Sequence, residues 1–244
     1  MGKLSKFKRK NKQDEGAWAS ICDLMSGLMI IFLFIAVSFM LRVTEENISI
    51  KKQQDTIHKV VKTYEETKGN IYNDLYYEFK DDMNKWHMEI DPDGTIRFTE
   101  PEVFFDKGEF ELKEQFKDIL NSFFPRYIKV IYDGHKDKVK EIRIEGHTSS
   151  EWEVSSGKKD SYFGNMELSQ NRTRNVLKYV MNLPNIAIYE DWLIDNITAN
   201  GMSYSKRIYD ENNNEDKDRS RRVEFKVITN SEETIESIID EYEE

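Results

Sequence analysis

One carboxylate interrupts an otherwise uncharged apolar run: Asp23, in WASICDLMSGLMIIFLFIAVSFML from Trp18 to Leu41. An ionised carboxylate at the centre of a membrane helix costs about 2.5 to 3.5 kcal/mol, and less near an end. Asp23 does not stand alone. On a helix Ser20, Asp23, Ser26 and Gly27 fall on one face at spacings of three and four, with Ser38 further along. Small and hydroxyl residues let a second helix approach closely and offer hydrogen bonds to a carboxylic acid. Burial penalises the charged form of a carboxyl, so a group alternating between wet and dry surroundings gains and loses a proton. The chemistry suggested is ion carriage, with Asp23 as acceptor. The simpler alternative places Asp23 near enough to the end of the run to be hydrated at the interface.

An element must hold that carboxylate in the membrane. The chain of 244 residues is acidic, with a net charge of -10 and a mean hydropathy of -0.73, yet charge is nearly absent between Ala17 and Leu41 and dense on both sides. As a helix, Ser20 to Leu41 spans about 33 Å at roughly 1.5 Å per residue, enough to cross a bilayer. A cleaved signal peptide shares the basic start and apolar run. Against it stand the length of the run, the acid inside it and the lack of a small-x-small site before Arg42. Lys3, Lys6, Lys8, Arg9, Lys10 and Lys12 place the N-terminus in the cytoplasm by the positive-inside rule, and the residues after Arg42 outside. The expectation is a single-pass inner-membrane protein.

Beyond the span, Ile57, Val60, Val61, Tyr64, Ile71, Leu75, Phe79, Met83 and Trp86 recur at mostly helical spacing, with Gly69 marking a break or kink. This stripe either packs on the following domain or pairs two copies as a stalk. "DPDG", Asp91 to Gly94, reads as a turn between two hairpin strands. Helices are expected over Leu112 to Ile131 and Leu168 to Met181, and strands over Glu141 to Glu145, Asn196 to Asn200 and Arg222 to Val227. The loop Tyr209 to Ser220 reads as exposed. The fold class is α+β: an N-terminal transmembrane helix, a helical stalk and an α/β sandwich domain. The expected division is a basic arm over 1–16, the span over 17–42, a stalk or linker over 43–87, the domain over 88–229 and an acidic tail over 230–244.

The single cysteine, Cys22, allows no intramolecular disulfide, and His58, His87, His135 and His147 show no metal-ligand spacing. They read as surface or structural histidines, and no metal or cofactor is expected. The chain has no nucleophile elbow, phosphate loop or zinc spacing, which argues against an enzyme.

The basic arm, the span of form Trp-x4-Asp-Leu-Met-Ser-x-Leu-Met, the stalk and the outer domain together resemble MotB-type subunits of proton-driven motors. The wording SICDLMSGLMIIFLFIAVSFM resembles the ZorB subunits of Zorya anti-phage defence systems more than a flagellar stator subunit. The resemblance implies a dimer inside a ring of five MotA-like (ZorA-type) membrane partners, with Asp23, supported by Ser26, passing protons. It implies no direct contact with nucleic acid. A flagellar stator, a Tol/Exb-type energy transducer and a passive wall tether stay open as alternatives.

"EGHTSS" at Glu145 to Ser150, "NMELSQNRTRNVLKYV" at Asn165 to Val180 and "DRSRRVEFKV" at Asp218 to Val227 resemble OmpA-like peptidoglycan-binding domains. In that family an acid and an arginine hold the ammonium and carboxylate of diaminopimelate. Arg172 matches the arginine, while Asn165, Thr148, Leu168 and Arg222 match other motif positions. The family's acid falls at Ser149, so this chain departs there. A zwitterion needs an anion as well as a cation in its site, and Glu151 or Glu153 is the sequence's nearest substitute. The resemblance implies binding of the cell wall without cleavage.

Overall fold

The computed structural model describes residues 2–152 and 157–231. Glu153 and the acidic tail beyond residue 231 therefore lie outside the described residues. The chain divides into two compact units, 1–58 and 59–244. Helix α1, Gly2–Phe79, contributes its first part to one unit and its last turns to the other.

In the N-terminal unit every described side chain from Ser20 to Leu41 is exposed, and the candidate span has a mean hydropathy of 2.6. A helix apolar all round finds cover in a membrane or among other helices.

In the second unit α1 runs on without interruption past Gly69, contrary to the expected break. A methyl group there would meet nothing within 4 Å. Only the intrinsic flexibility of glycine suggested a kink, and the packing of the following turns overrides it. Ile71, Leu75 and Phe79 are fully buried, as is Trp86 nearly so. The segment read as stalk thus supplies core, and Lys68 donates to the Val227 carbonyl at 2.5 Å.

Strands β1 (Met88–Ile90) and β2 (Ile96–Phe98) form the expected antiparallel hairpin. Its turn requires Gly94, at φ +81°, where the Ile71 side chain leaves no room for a Cβ. A short helix α2 (Pro101–Phe104) leads to α3 (Glu114–His135). The observed α3 begins and ends a little later than its stripe predicted. Phe116, Ile119, Leu120, Phe123, Tyr127 and Ile131 face inward along it. Then come β3 (Val139–His147), α4 (Lys158–Met181), α5 (Glu190–Asn196), β4 (Ile197–Gly201), α6 (Lys217–Ser220) and β5 (Arg222–Thr229).

The five strands lie in the order β1-β2-β5-β3-β4, antiparallel except for the β3–β4 pair. Alternation sends Ile96, Phe98, Ile142, Ile144, Val223, Phe225 and Val227 into the core. There Phe98 meets Phe104, Phe116, Phe123 and Phe225 edge to face, at centroid distances of 5.1 to 6.0 Å. The opposite set, Arg97, Arg143, Glu145, His147, Arg222, Glu224 and Lys226, makes a charged second face.

Candidate functional site

Helix α4 starts ten residues before the expected Leu168, at Lys158. Its early inward positions are Ser161, Asn165 and Ser169, then Arg172 and Thr173, so no apolar period announces them. What draws α4 onto the sheet is a pair of glycines. Gly146 of β3 and Gly201 of β4 are register partners. A Cβ on Gly146 would sit 2.7 Å from Thr173 Cγ2, and one on Gly201 would sit 2.4 Å from the Gln170 nitrogen. Hydrogen bonds fix the contact. Gln170 accepts from the Gly201 N–H at 2.7 Å and donates to the Ala199 carbonyl at 3.0 Å, while Ser169 Oγ accepts from the Ser203 N–H at 3.0 Å.

This docking carries Arg172 to a small cavity lined by Phe104, Phe105, Gly146, His147, Ser169, Arg172, Arg222 and Val223. Arg172 is only 9% exposed. Its Nε donates to the Glu109 carbonyl at 2.8 Å, its Nη2 to the Asp106 carbonyl at 3.1 Å, and its guanidinium lies over the Phe105 ring. Burial, with the charge of Arg221 nearby, pulls it down to about 10. Its direct contacts are neutral carbonyls and an aromatic face, with the charges of Arg221 and Glu109 acting from further away. No carboxylate pairs with it among the described residues.

The remaining sequence candidates divide by role. Asn165 donates to the Ser161 and Glu151 carbonyls at 3.1 and 3.3 Å, tying α4 to the loop after β3. Thr148 is buried, with its N–H on the Ser203 carbonyl and its hydroxyl without a partner. Ser149 is buried and Leu168 half-buried. Arg222 lines the cavity, but its Nε donates to Glu224 at 2.6 Å and its Nη1 to the Lys206 and Ser220 carbonyls. Glu151 does not stand free as the missing acid, because Lys217 and Arg221 meet it at 2.9 and 3.2 Å.

Two features escaped the sequence. On the charged sheet face, Glu145, His147 and Glu224 bring one ligand-type atom each within 4.8 Å of one another. Lys226 already supplies the cation there, 2.9 Å from Glu145 and 3.2 Å from Glu224. Arg97 and Arg222 reach Glu224 as well. Burial opposes ionisation of Glu224, but contacts with His147 and Arg222 outweigh it and hold the carboxyl far below its usual range. The second feature is Glu215, whose carboxylate accepts the Ser150 N–H at 2.8 Å and also the Ser150 hydroxyl. It lies 65 residues from Ser150 in sequence, and no local motif connects the two.

In the N-terminal unit Asp23 is exposed. Ser26, one turn on, donates its hydroxyl to the Cys22 carbonyl at 2.7 Å.

Residues 104–221 match the OmpA family. Over 233 residues the chain is 44% identical to the Zorya protein ZorB of Escherichia coli, covering 95% of this chain and 96% of that protein. Among solved structures, a MotB-like protein from Desulfovibrio vulgaris aligns at 20% identity, over 72% of this chain and 98% of its own, with a TM-score of 0.46. The cell wall anchor of the type VI secretion system from Pseudomonas aeruginosa aligns at 17% identity, over 64% and 96%, with a TM-score of 0.43. The periplasmic domain of Helicobacter pylori MotB aligns at 18% identity, over 61% and 85%, with a TM-score of 0.38.

Proposed function

This chain belongs to the ZorB family, and we propose that it is the MotB-like, peptidoglycan-binding subunit of a Zorya-type proton-driven motor in the bacterial inner membrane. Its N-terminus is cytoplasmic and its OmpA-like domain periplasmic. Two copies stand within a ring of MotA-like partner subunits, and the outer domains grip the wall. Anchoring is mechanically necessary, since subunits that apply torque need an element held fixed against them.

The observation that carries the reading is Asp23, a lone acid on a small-residue helix face within an apolar run whose side chains stay exposed among the described residues. In this reading Asp23 takes a proton from one side of the membrane and releases it to the other, and Ser26 lies on the same face to support it. No step is catalytic in the enzymatic sense. The output is mechanical, relayed to defence effectors during phage entry.

The test co-expresses the chain with its membrane partner in a phage-challenged host and compares wild type with Asp23→Asn at matched membrane levels. The expected outcome is loss of protection with the complex intact. Full protection by Asp23→Asn would instead make the aspartate a hydrated bystander and the protein a passive wall tether.

A further inference from the structure

The outer domain holds one buried positive charge with no carboxylate in direct contact and one built negative charge with no cation in direct contact, among the described residues: the Glu109 charge acts on Arg172 only at longer range. Arg172 gives its Nε and Nη2 to carbonyls of Glu109 and Asp106. A buried guanidinium without a carboxylate is costly, and that cost is recovered when a carboxylate arrives. Glu215 is the complement. Glu151 and Glu224 are both met by cations, whereas among the described residues the Glu215 carboxylate accepts only from the uncharged Ser150.

Glu215 is placed there by construction. It pairs with Tyr209 across a tight loop, and the Asp210 carboxylate closes that loop by taking the N–H groups of Asn212 and Asn214 at 2.9 and 2.8 Å. The residue it grips follows cavity-lining His147 by three positions, a reach of at most about 10 Å along the chain. Between them stands Thr148, 4% exposed and with its hydroxyl unpartnered. A cationic half, an anionic half and an unused hydroxyl thus share one short loop and the helix packed against it.

We propose that Glu215, held against Ser150, is the anionic half of the Arg172 site and receives the ammonium of a zwitterionic amino-acid end of the wall peptide. The inference rests on the wall-binding reading and deepens it. The acid absent at Ser149 is replaced from a distant loop, one residue along in space.

The test measures binding of the full-length chain to two soluble stem-peptide fragments, one with a free diaminopimelate amine and one with that amine acetylated. Wild type is expected to prefer the free amine by about tenfold or more, the scale of one hydrogen bond to a charged group. Glu215→Gln should lose that preference by weakening the free-amine fragment far more than the acetylated one, whereas Glu215→Asp, which keeps the charge, should retain a preference. Arg172→Ala should lose both fragments. If Arg172→Ala loses binding but Glu215→Gln still prefers the free amine, the inference is overturned. It is also overturned if Glu215→Gln weakens both fragments equally, which would mark Glu215 as a loop-ordering residue. Failure of wild type to bind either fragment or intact wall would sink the wall-binding reading itself, and the inference with it.

Discussion

Arg172 and Arg222 look equivalent as motif arginines, yet their surroundings give them different work. Arg172 faces carbonyls and an aromatic ring, while Arg222 is bound to Glu224 inside a buried charge network that includes His147, Arg97 and Lys226. The network has a pH signature. Glu224 and Glu145 both ionise more readily in the folded domain than the ordinary value of 4.5. A depressed folded-state value gives stability that is fully present above the unfolded value and is lost as pH falls through the range below it. Thermal melts of the domain are therefore expected to hold steady near neutrality and to drop as pH falls below that range. Glu224→Gln should flatten this acid limb and lower stability at neutral pH by about 3 kcal/mol, because its cations remain buried without their partner. Circular dichroism melts across pH check both halves. An unchanged acid limb in Glu224→Gln would move the dependence to other groups.

At the scale of elements, the site depends on how closely α4 lies on the ends of β3 and β4. The Gly146 and Gly201 pair sets that distance. Gly201→Val places atoms where the Gln170 backbone already sits, so the helix must move. The expected cost is about 1 to 3 kcal/mol of overpacking, together with weakened wall binding, because Arg172 rides on the displaced helix. Urea denaturation and a binding measurement on the same protein test this. Gly69→Ala is the contrasting case. Gly69 sits mid-helix in open space, and the change should stabilise by about 0.5 to 1 kcal/mol. These outcomes separate glycines that permit contact from one that merely dilutes a helix. The sequence marked Gly69 as a break and read Gly146 only as a motif letter, because composition carries no information about what packs opposite.

At the scale of the whole molecule, the boundary of the C-terminal domain matters most. The sequence reading begins the domain at residue 88 and leaves the preceding stripe open between packing on it and pairing two copies; Ile71, Leu75 and Phe79 of α1 are fully buried in the core. Truncating a single such side chain costs about 2 to 5 kcal/mol, against a total stability of about 5 to 15 kcal/mol for a typical domain. A fragment beginning at Lys59 is expected to fold and melt cooperatively. One beginning at Met88 should be unfolded or melt without cooperativity, and calorimetry of the two decides it.

The apolar span with its single acid, the hairpin at Asp91 to Gly94, the stripes of α3 and β5 and the motif blocks around His147 and Arg172 were all legible in the linear order of residues. Each rests on local properties: hydropathy, period and turn chemistry. Tertiary structure alone decided that the stalk stripe belongs to the core, that α4 begins over a polar face, that Arg222 is engaged by Glu224 and that Glu215 meets Ser150. Those outcomes depend on side chains from distant segments competing for the same charges and the same volume. That competition is settled only when strands and helices are packed together, and no spacing rule along the chain encodes it.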